Sequence, residues 1–298
     1  MKKTIYTIIL SASVSFSALA QGGRDAMPFM VIDRSPATLA MAGAGSATGI
    51  GAAWSAFDNS AVLPFLSGRG DAAASWQNWA PKGVKSSNIG AGAAMKFSGK
   101  AGVSVGAAYQ MGNEYTIYSE SGTPGGSFKP SDMLVNLGVG FAVTDFLSLG
   151  VNARLGSQKL SAKTSYTGIA ADADVLYRKD ALSASAGVHN IGTKVASAYS
   201  LPTSARVAGA YEAGAVTAAL DVDYFFSGGL AAAVGVQYSY NDMVFARAGY
   251  HYGSAGVVLP SFASVGVGAK FAGVHVDVAF LLGGTLGNTL SAGLGYAF

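Results

Sequence analysis

The chain has 298 residues, no cysteine, and 19 basic against 16 acidic residues, a formal charge of +3. Charged residues make up 12% of it, against roughly 25% in an ordinary soluble domain, while half is hydrophobic and 41 residues are glycine. These figures exclude a disordered or polyionic chain, a disulfide scaffold, thiol catalysis and cysteine-ligated zinc, and so small a charge excess gives no reason to expect nucleic acid.

The first element is a leader. Lys2 and Lys3 precede an uncharged apolar stretch from Thr4 to about Phe16, and Ala18-Leu19-Ala20 follows. This is the pattern of a secretory signal peptide, so residues 1–20 are expected to be removed. Residues 21–70 have no two-residue period. They carry Asp33-Arg34-Ser35-Pro36 and the glycines 43, 45, 49 and 51. Gly43-Ala44-Gly45-Ser46-Ala47-Thr48-Gly49 misses the dinucleotide spacing and has no strand–helix context. Glycines that admit close backbone approach fit a packed hatch, or plug, inside a barrel mouth.

Almost everywhere downstream of residue 87 the chain alternates. Met133, Val135, Leu137, Val139, Phe141 and Val143 interleave with Leu134, Asn136, Gly138, Gly140 and Ala142. Val216, Ala218, Leu220, Val222 and Tyr224 interleave with Thr217, Ala219, Asp221, Asp223 and Phe225. Segments of about ten residues, greasy on one side and small or charged on the other, are what a lipid-facing barrel strand requires. The uncharged run 278–298 is too rich in glycine for a spanning helix and alternates instead. The expected fold is therefore all-β: a transmembrane antiparallel β-barrel over residues 71–298, with about 14 strands as even-numbered outer-membrane barrels allow. Expected starts are near 71, 87, 101, 132, 146, 170, 181, 203, 215, 229, 242, 261, 273 and 288.

Short gaps such as Thr144-Asp145, Lys179-Asp180, Ala213-Gly214 and Asn241-Asp242 alternate with longer ones, notably 111–131, 158–169, 191–202 and 253–260. Short turns lie in the periplasm and long loops outside, which places both termini in the periplasm of a Gram-negative cell. Outward tyrosines near strand ends (238, 240, 250, 252, 296) with Phe298 read as interfacial girdles against outer-membrane lipid.

The inward face carries the charge: Lys96, Arg154, Asp172, Asp174, Arg178, Arg206, Asp221, Asp223, Arg247, His251, Lys270, His275 and Asp277. Arg154, Arg206, Asp221, Asp223 and Arg247 are the expected lumen charge network, with a turn at Ala213-Gly214 setting Arg206 across from Asp221. Structural pairing that fills the lumen and anchors the hatch is the first reading of these charges, and a polar ligand or conduction path the second. His275 and Asp277 share a face but His251 lies on another hairpin, so no metal site is expected. No nucleophile elbow or catalytic spacing occurs, and nothing calls for a cofactor or an enzyme.

Two stretches carry a family resemblance. Ala40-Met41-Ala42-Gly43-Ala44-Gly45, followed by Asp58-Asn59-Ser60-Ala61, resembles the hatch pattern of FadL-like (OMPP1/FadL/TodX) outer-membrane barrels, with serine at position 60 where proline is usual. Val188-His189-Asn190-Ile191-Gly192, followed by Leu201-Pro202, resembles the PorV/PorQ branch of that family. The resemblance implies a 14-stranded barrel in a Bacteroidetes-type envelope. It also implies an accessory role beside a larger barrel or complex of type IX-like secretion or outer-membrane assembly. Asn59, His189 and Asn190, with Tyr115, Tyr118 and Phe128 of the outer loop, are then the candidate ligand or partner residues. The alternative is a FadL-like transporter of hydrophobic small molecules, which an apolar cavity between hatch and wall would favour.

Overall fold

The computed structural model describes residues 25–79, 86–97, 99–119, 122–283 and 287–298. The signal segment predicted over residues 1–20 lies outside them. No helix among the described residues is long and apolar enough to cross a membrane.

Among the described residues, sixteen strands follow the hatch. The first eight are β1 (Gly70–Trp79), β2 (Ser86–Phe97), β3 (Ala101–Met111), β4 (Tyr115–Tyr118), β5 (Pro124–Phe128), β6 (Ser131–Ala142), β7 (Leu147–Lys159) and β8 (Ser165–Lys179). The second eight are β9 (Leu182–Gly192), β10 (Ser204–Ala213), β11 (Val216–Phe225), β12 (Gly229–Tyr240), β13 (Val244–Gly253), β14 (Phe262–Phe271), β15 (Val274–Gly283) and β16 (Gly287–Ala297). β4 and β5 pair only with each other; the remaining fourteen pair in chain order, with β3 meeting β6 across that hairpin, and β1 closes on β16, giving a 14-strand barrel. Closure leaves no open edge, as a lipid-facing sheet requires.

The alternation decides which way each side chain points. On β6 the outward Leu137, Val139 and Phe141 are 59%, 56% and 55% exposed, while the intervening Asn136 is fully buried. Apolar side chains that exposed, repeated around a closed wall, are stable against hydrocarbon and not against water. Tyr238 and Tyr240 at the short-turn end and Tyr250 and Tyr252 toward the long loops are outward and exposed, as two girdles.

Three expectations need correction. Arg206 pairs with Asp223, and Asp221 with Ala208, because the β10–β11 turn sits at Gly214-Ala215, one residue later than expected. Gly214, at φ +59, takes the left-handed turn position that Ala213 would fill at a cost. Strand β8 begins at Ser165, not near 170, since Ser165–Thr167 pair with Lys159–Ser157 of β7 where no apolar face is required. The 111–131 loop contains the β4–β5 hairpin, a separate two-stranded sheet whose base is closed by the Gly112 amide donating to Pro130 O at 2.9 Å.

Residues 25–69 fill the barrel. They form a short α-helix α1 (Pro36–Leu39), three 3-10 turns (Pro28–Val31, Ala52–Phe57 and Ser60–Phe65) and intervening bends. The glycine on the inner wall is where this backbone lies. Gly235 and Gly249 face each other across β12 and β13, and a Cβ on either would strike the main chain of Met41. Gly140 and Gly150 pair across β6 and β7 under Ser60 and Ala61 in the same way.

Candidate functional site

The hatch is tied to the wall by side chains that reach its backbone. Ser148 Oγ donates to Ala61 O at 2.5 Å, Ser264 Oγ to Ala40 O at 3.0 Å, Gln77 Nε2 to Asp33 O at 2.7 Å, and Lys96 Nζ to Leu66 O. Asp221 accepts from the amides of Gly45 and Ser46 at 3.2 and 3.1 Å. Arg206 donates to Asp223 at 2.9 Å, to Ser46 Oγ at 2.8 Å, and to Asp58 of the hatch. Arg154 donates through Nε to Asp172 Oδ2 at 2.5 Å, and reaches the hatch carbonyls of Phe57 at 2.9 Å and Met30 at 3.3 Å. Charge inside the barrel thus serves the plug first.

A break in the alternation adds to this. Strand β9 carries a bulge against β8: Ala171 pairs with Ile191 and Ala173 with Val188, so Asp172 faces both His189 and Asn190. Strict alternation would send one of these two residues outward. The bulge, with Asn190 at φ +55, turns both inward, each 3% exposed. The Asn190 amide donates to Asp172 Oδ1 at 2.7 Å, its Nδ2 to Pro202 O at 3.2 Å, and Thr203 Oγ1 donates back to Asn190 O at 2.8 Å. His189 Nε2 lies 3.1 Å from Asp174 Oδ1.

Between the hatch and strands β10–β14 lies a cavity of about 110 Å³, on the long-loop side. Met30, Leu39, Phe225, Val257, Leu259 and Phe262 give it an apolar part, and His251 stacks on Phe262 with ring centres 4.9 Å apart. Its polar part holds Asn59, His189, Asn190, Arg154, Arg206, Asp221 and Asp223. Seven of the residues singled out from sequence therefore meet at one place. Asn59 also works inside the hatch, accepting from the Ala61 amide at 2.8 Å and donating to Ser46 O at 2.9 Å.

Other candidates lie elsewhere. Arg247 sits toward the short turns, donating to Gln237 at 2.7 Å and Asp277 at 2.6 Å. It lines a wider cavity of about 630 Å³ with Lys270, His275 and Phe65. Ser35, Ile50, Gly51, Ala52 and Trp54 line both cavities and form the partition between them. Tyr115 and Tyr118 are exposed on the β4–β5 hairpin, and Phe128 is partly covered there beside Lys159. The sequence reading missed Asp33, Ser55 and Asp58 as cavity residues, because the hatch has no period from which to read direction. Among the described residues no group of three could hold a metal ion.

The barrel, its internal plug and the cavity between them define a plugged transmembrane β-barrel. No protein-family model matches the chain, and no curated protein matches it. Solved structures do. The toluene transporter TbuX of Ralstonia pickettii is similar over 89% of this chain and 98% of that one, at 12% identity and a TM-score of 0.66. The toluene transporter TodX of Pseudomonas putida matches at 12% identity over 88% and 97%, with a TM-score of 0.64. A FadL homologue of Pseudomonas aeruginosa matches at 12% identity over 90% and 99%, with a TM-score of 0.61. The fold is that of the FadL/TodX barrels.

Proposed function

We propose that this chain is a channel for small hydrophobic molecules in the outer membrane of a Gram-negative bacterium, with its termini and short turns on the periplasmic side. The cavity between hatch and wall carries this reading: it has apolar walls, lies toward the long loops, and adjoins the wider short-turn cavity across a thin partition. The likeness to two toluene transporters supports it. The accessory role expected from Val188–Gly192 draws less support, because Asn190 and Pro202 there hold the bulge together. Under that reading the exposed hairpin aromatics Tyr115 and Tyr118 would be the contact surface.

The test is uptake of toluene by vesicles carrying the purified protein, beside vesicles carrying Ala233→Phe. Ala233 is buried and lines the cavity, so the added ring would occupy it. Uptake that exceeds that of empty vesicles and falls in the variant is expected. Uptake no faster than through empty vesicles would defeat the reading.

A further inference from the structure

We propose that the outward face of the β7–β8 hairpin, at its long-loop end, holds the phosphate of an outer-leaflet glycolipid, with Lys159 and Lys163 as its cations. This goes beyond the channel reading and needs only the barrel's placement with its long loops outside.

Depth sets the partner. Odd-numbered residues of β6, β7 and β8 point outward, and the register joins them in rows across the three strands. The row of Val135, Leu155 and Ile169 is wholly apolar, with Leu155 42% and Ile169 57% exposed. Next come Met133, Ser157 and Thr167, and then Ser131, Lys159 and Ser165. On β7 the apolar face runs from Leu147 to Leu155. At ~3.3 Å per residue and ~40° of tilt, that is about 20 Å of the roughly 25 Å that a lipid-facing band spans. Lys159 stands about 10 Å above Leu155 on the same strand, at headgroup level. Acyl chains lying on Leu155 and Ile169 therefore bring their own headgroup to this row. A protein ligand arriving from outside would meet the loop tips first.

Charge sets the headgroup. From Ser157 to Thr167 the chain has two lysines and no acid. Both lysines are exposed, and among the described residues neither is in an ion pair. Lys163 lies in the tight 160–164 turn, closed by the Leu160 amide donating to Thr164 O at 3.1 Å, so it stays beside the row. The Lys159 ammonium is 5.8 Å from the Phe128 ring centre, a cation–π contact that positions it without neutralising it. Glu114 of the adjoining loop is taken by Lys129 at 3.8 Å and by Ser127 Oγ, and Asp132 belongs to the inward set of β6.

Serines stand on both sides of Lys159, Ser131 on β6 and Ser165 on β8. Ammonium and hydroxyl donors together suit phosphate oxygens. The loops after β11, β13 and β15 (226–228, 254–261 and 284–286) contain no charged residue, so the sequence concentrates its long-loop cations on this arc.

Lipid A carrying both phosphates, with a fluorophore on one acyl chain, is titrated against the full-length protein in micelles and followed by anisotropy. Lys159→Gln with Lys163→Gln should weaken binding at least about tenfold, and lipid A stripped of its phosphates should lose as much on the unaltered protein. Lys100→Gln with Lys179→Gln makes the same charge change at the short-turn rim, well beyond a Debye length, and should leave binding within about twofold. All four side chains are exposed, and heat-modifiability on gels checks that each variant is folded. Inorganic phosphate in excess should not displace the lipid. The inference falls if lipid A does not bind, if removing its phosphates changes nothing, or if the Lys159/Lys163 double variant binds as before. It falls equally if both double variants lose binding alike, or if inorganic phosphate displaces the lipid. Toluene uptake is independent of all these outcomes, so the channel reading stands or falls on its own.

Discussion

Replacing Asp172 with alanine tests how the hatch is held. Its Oδ2 receives Arg154 through Nε at 2.5 Å and through Nη2, and its Oδ1 receives the Asn190 amide at 2.7 Å. The two side chains are 0% and 2% exposed, so neither charge is solvated by bulk water. Removing the carboxylate strands a guanidinium that is left with two hatch carbonyls and no counter-charge. Breaking a buried pair in this way costs about 3–5 kcal/mol. Arg154→Met should cost a similar amount, since it leaves the buried carboxylate without its guanidinium. The double variant carries neither buried charge and should fall short of the sum by about 1–3 kcal/mol. Urea titration of the protein folded in vesicles, followed by tryptophan fluorescence, gives these numbers. Hydrogen exchange of hatch amides 26–66 shows where the stability is lost. A cost for Asp172→Ala below about 1 kcal/mol would refute the reasoning, as would strict additivity. So would lost protection confined to the strands, because the pair is argued to hold plug to wall.

Gly249→Val puts side-chain carbon into the Met41 main chain, where no rotamer gives relief. Overpacking of about 1–3 kcal/mol should loosen the plug, and planar-bilayer recordings should show higher conductance with the barrel still heat-modifiable on gels. Excising residues 113–129 should leave folding and membrane insertion unchanged in the same gel assay, since Gly112 and Pro130 already meet at the hairpin base. Asp33 of the hatch is pushed up to about 6, chiefly by burial, from an ordinary 3.8. Its contribution to hatch stability is therefore complete below about pH 4 and lost as pH rises through about 6. Hatch amide exchange, corrected for its intrinsic rate, should accelerate across that range, and Asp33→Asn should flatten the dependence.

The wall was legible because one physical demand acts on every strand alike. Lipid outside and a plug inside enforce a period of two over 10 or more residues, and thirteen of the fourteen barrel strands begin within two residues of where that period starts, β8 being the exception. Register was less legible, since the difference between Arg206 facing Asp221 and facing Asp223 is one residue of turn. That choice belongs to Gly214 and not to the strands. The bulge at Asn190 was invisible for the opposite reason. Alternation assumes that neighbours point opposite ways, and His189-Asn190 breaks the rule where Asp172 needs a second donor. The family resemblance marked this segment without saying what it does.

The hatch has no period because it answers to a different demand, which is to fit a cylinder already built. Its dense side meets glycine and serine on β6 and β7, where Ser60 and Ala61 lie against Gly140 and Gly150. Its looser side meets β10–β14, where Met41 touches Gly235 and Gly249 but Arg206, Asp221 and Asp223 hold the plug through polar arms. Backbone against glycine leaves no gap, whereas a plug held at the ends of side chains leaves space between them. That is why the cavity opens on this side, and why its floor is charged while its far wall is apolar. The same arms also decide what the space can accept. The two guanidiniums that line the cavity are already paired, Arg206 with Asp58 and Asp223 and Arg154 with Asp172, so the arms that latch the plug there are used up as an anion site.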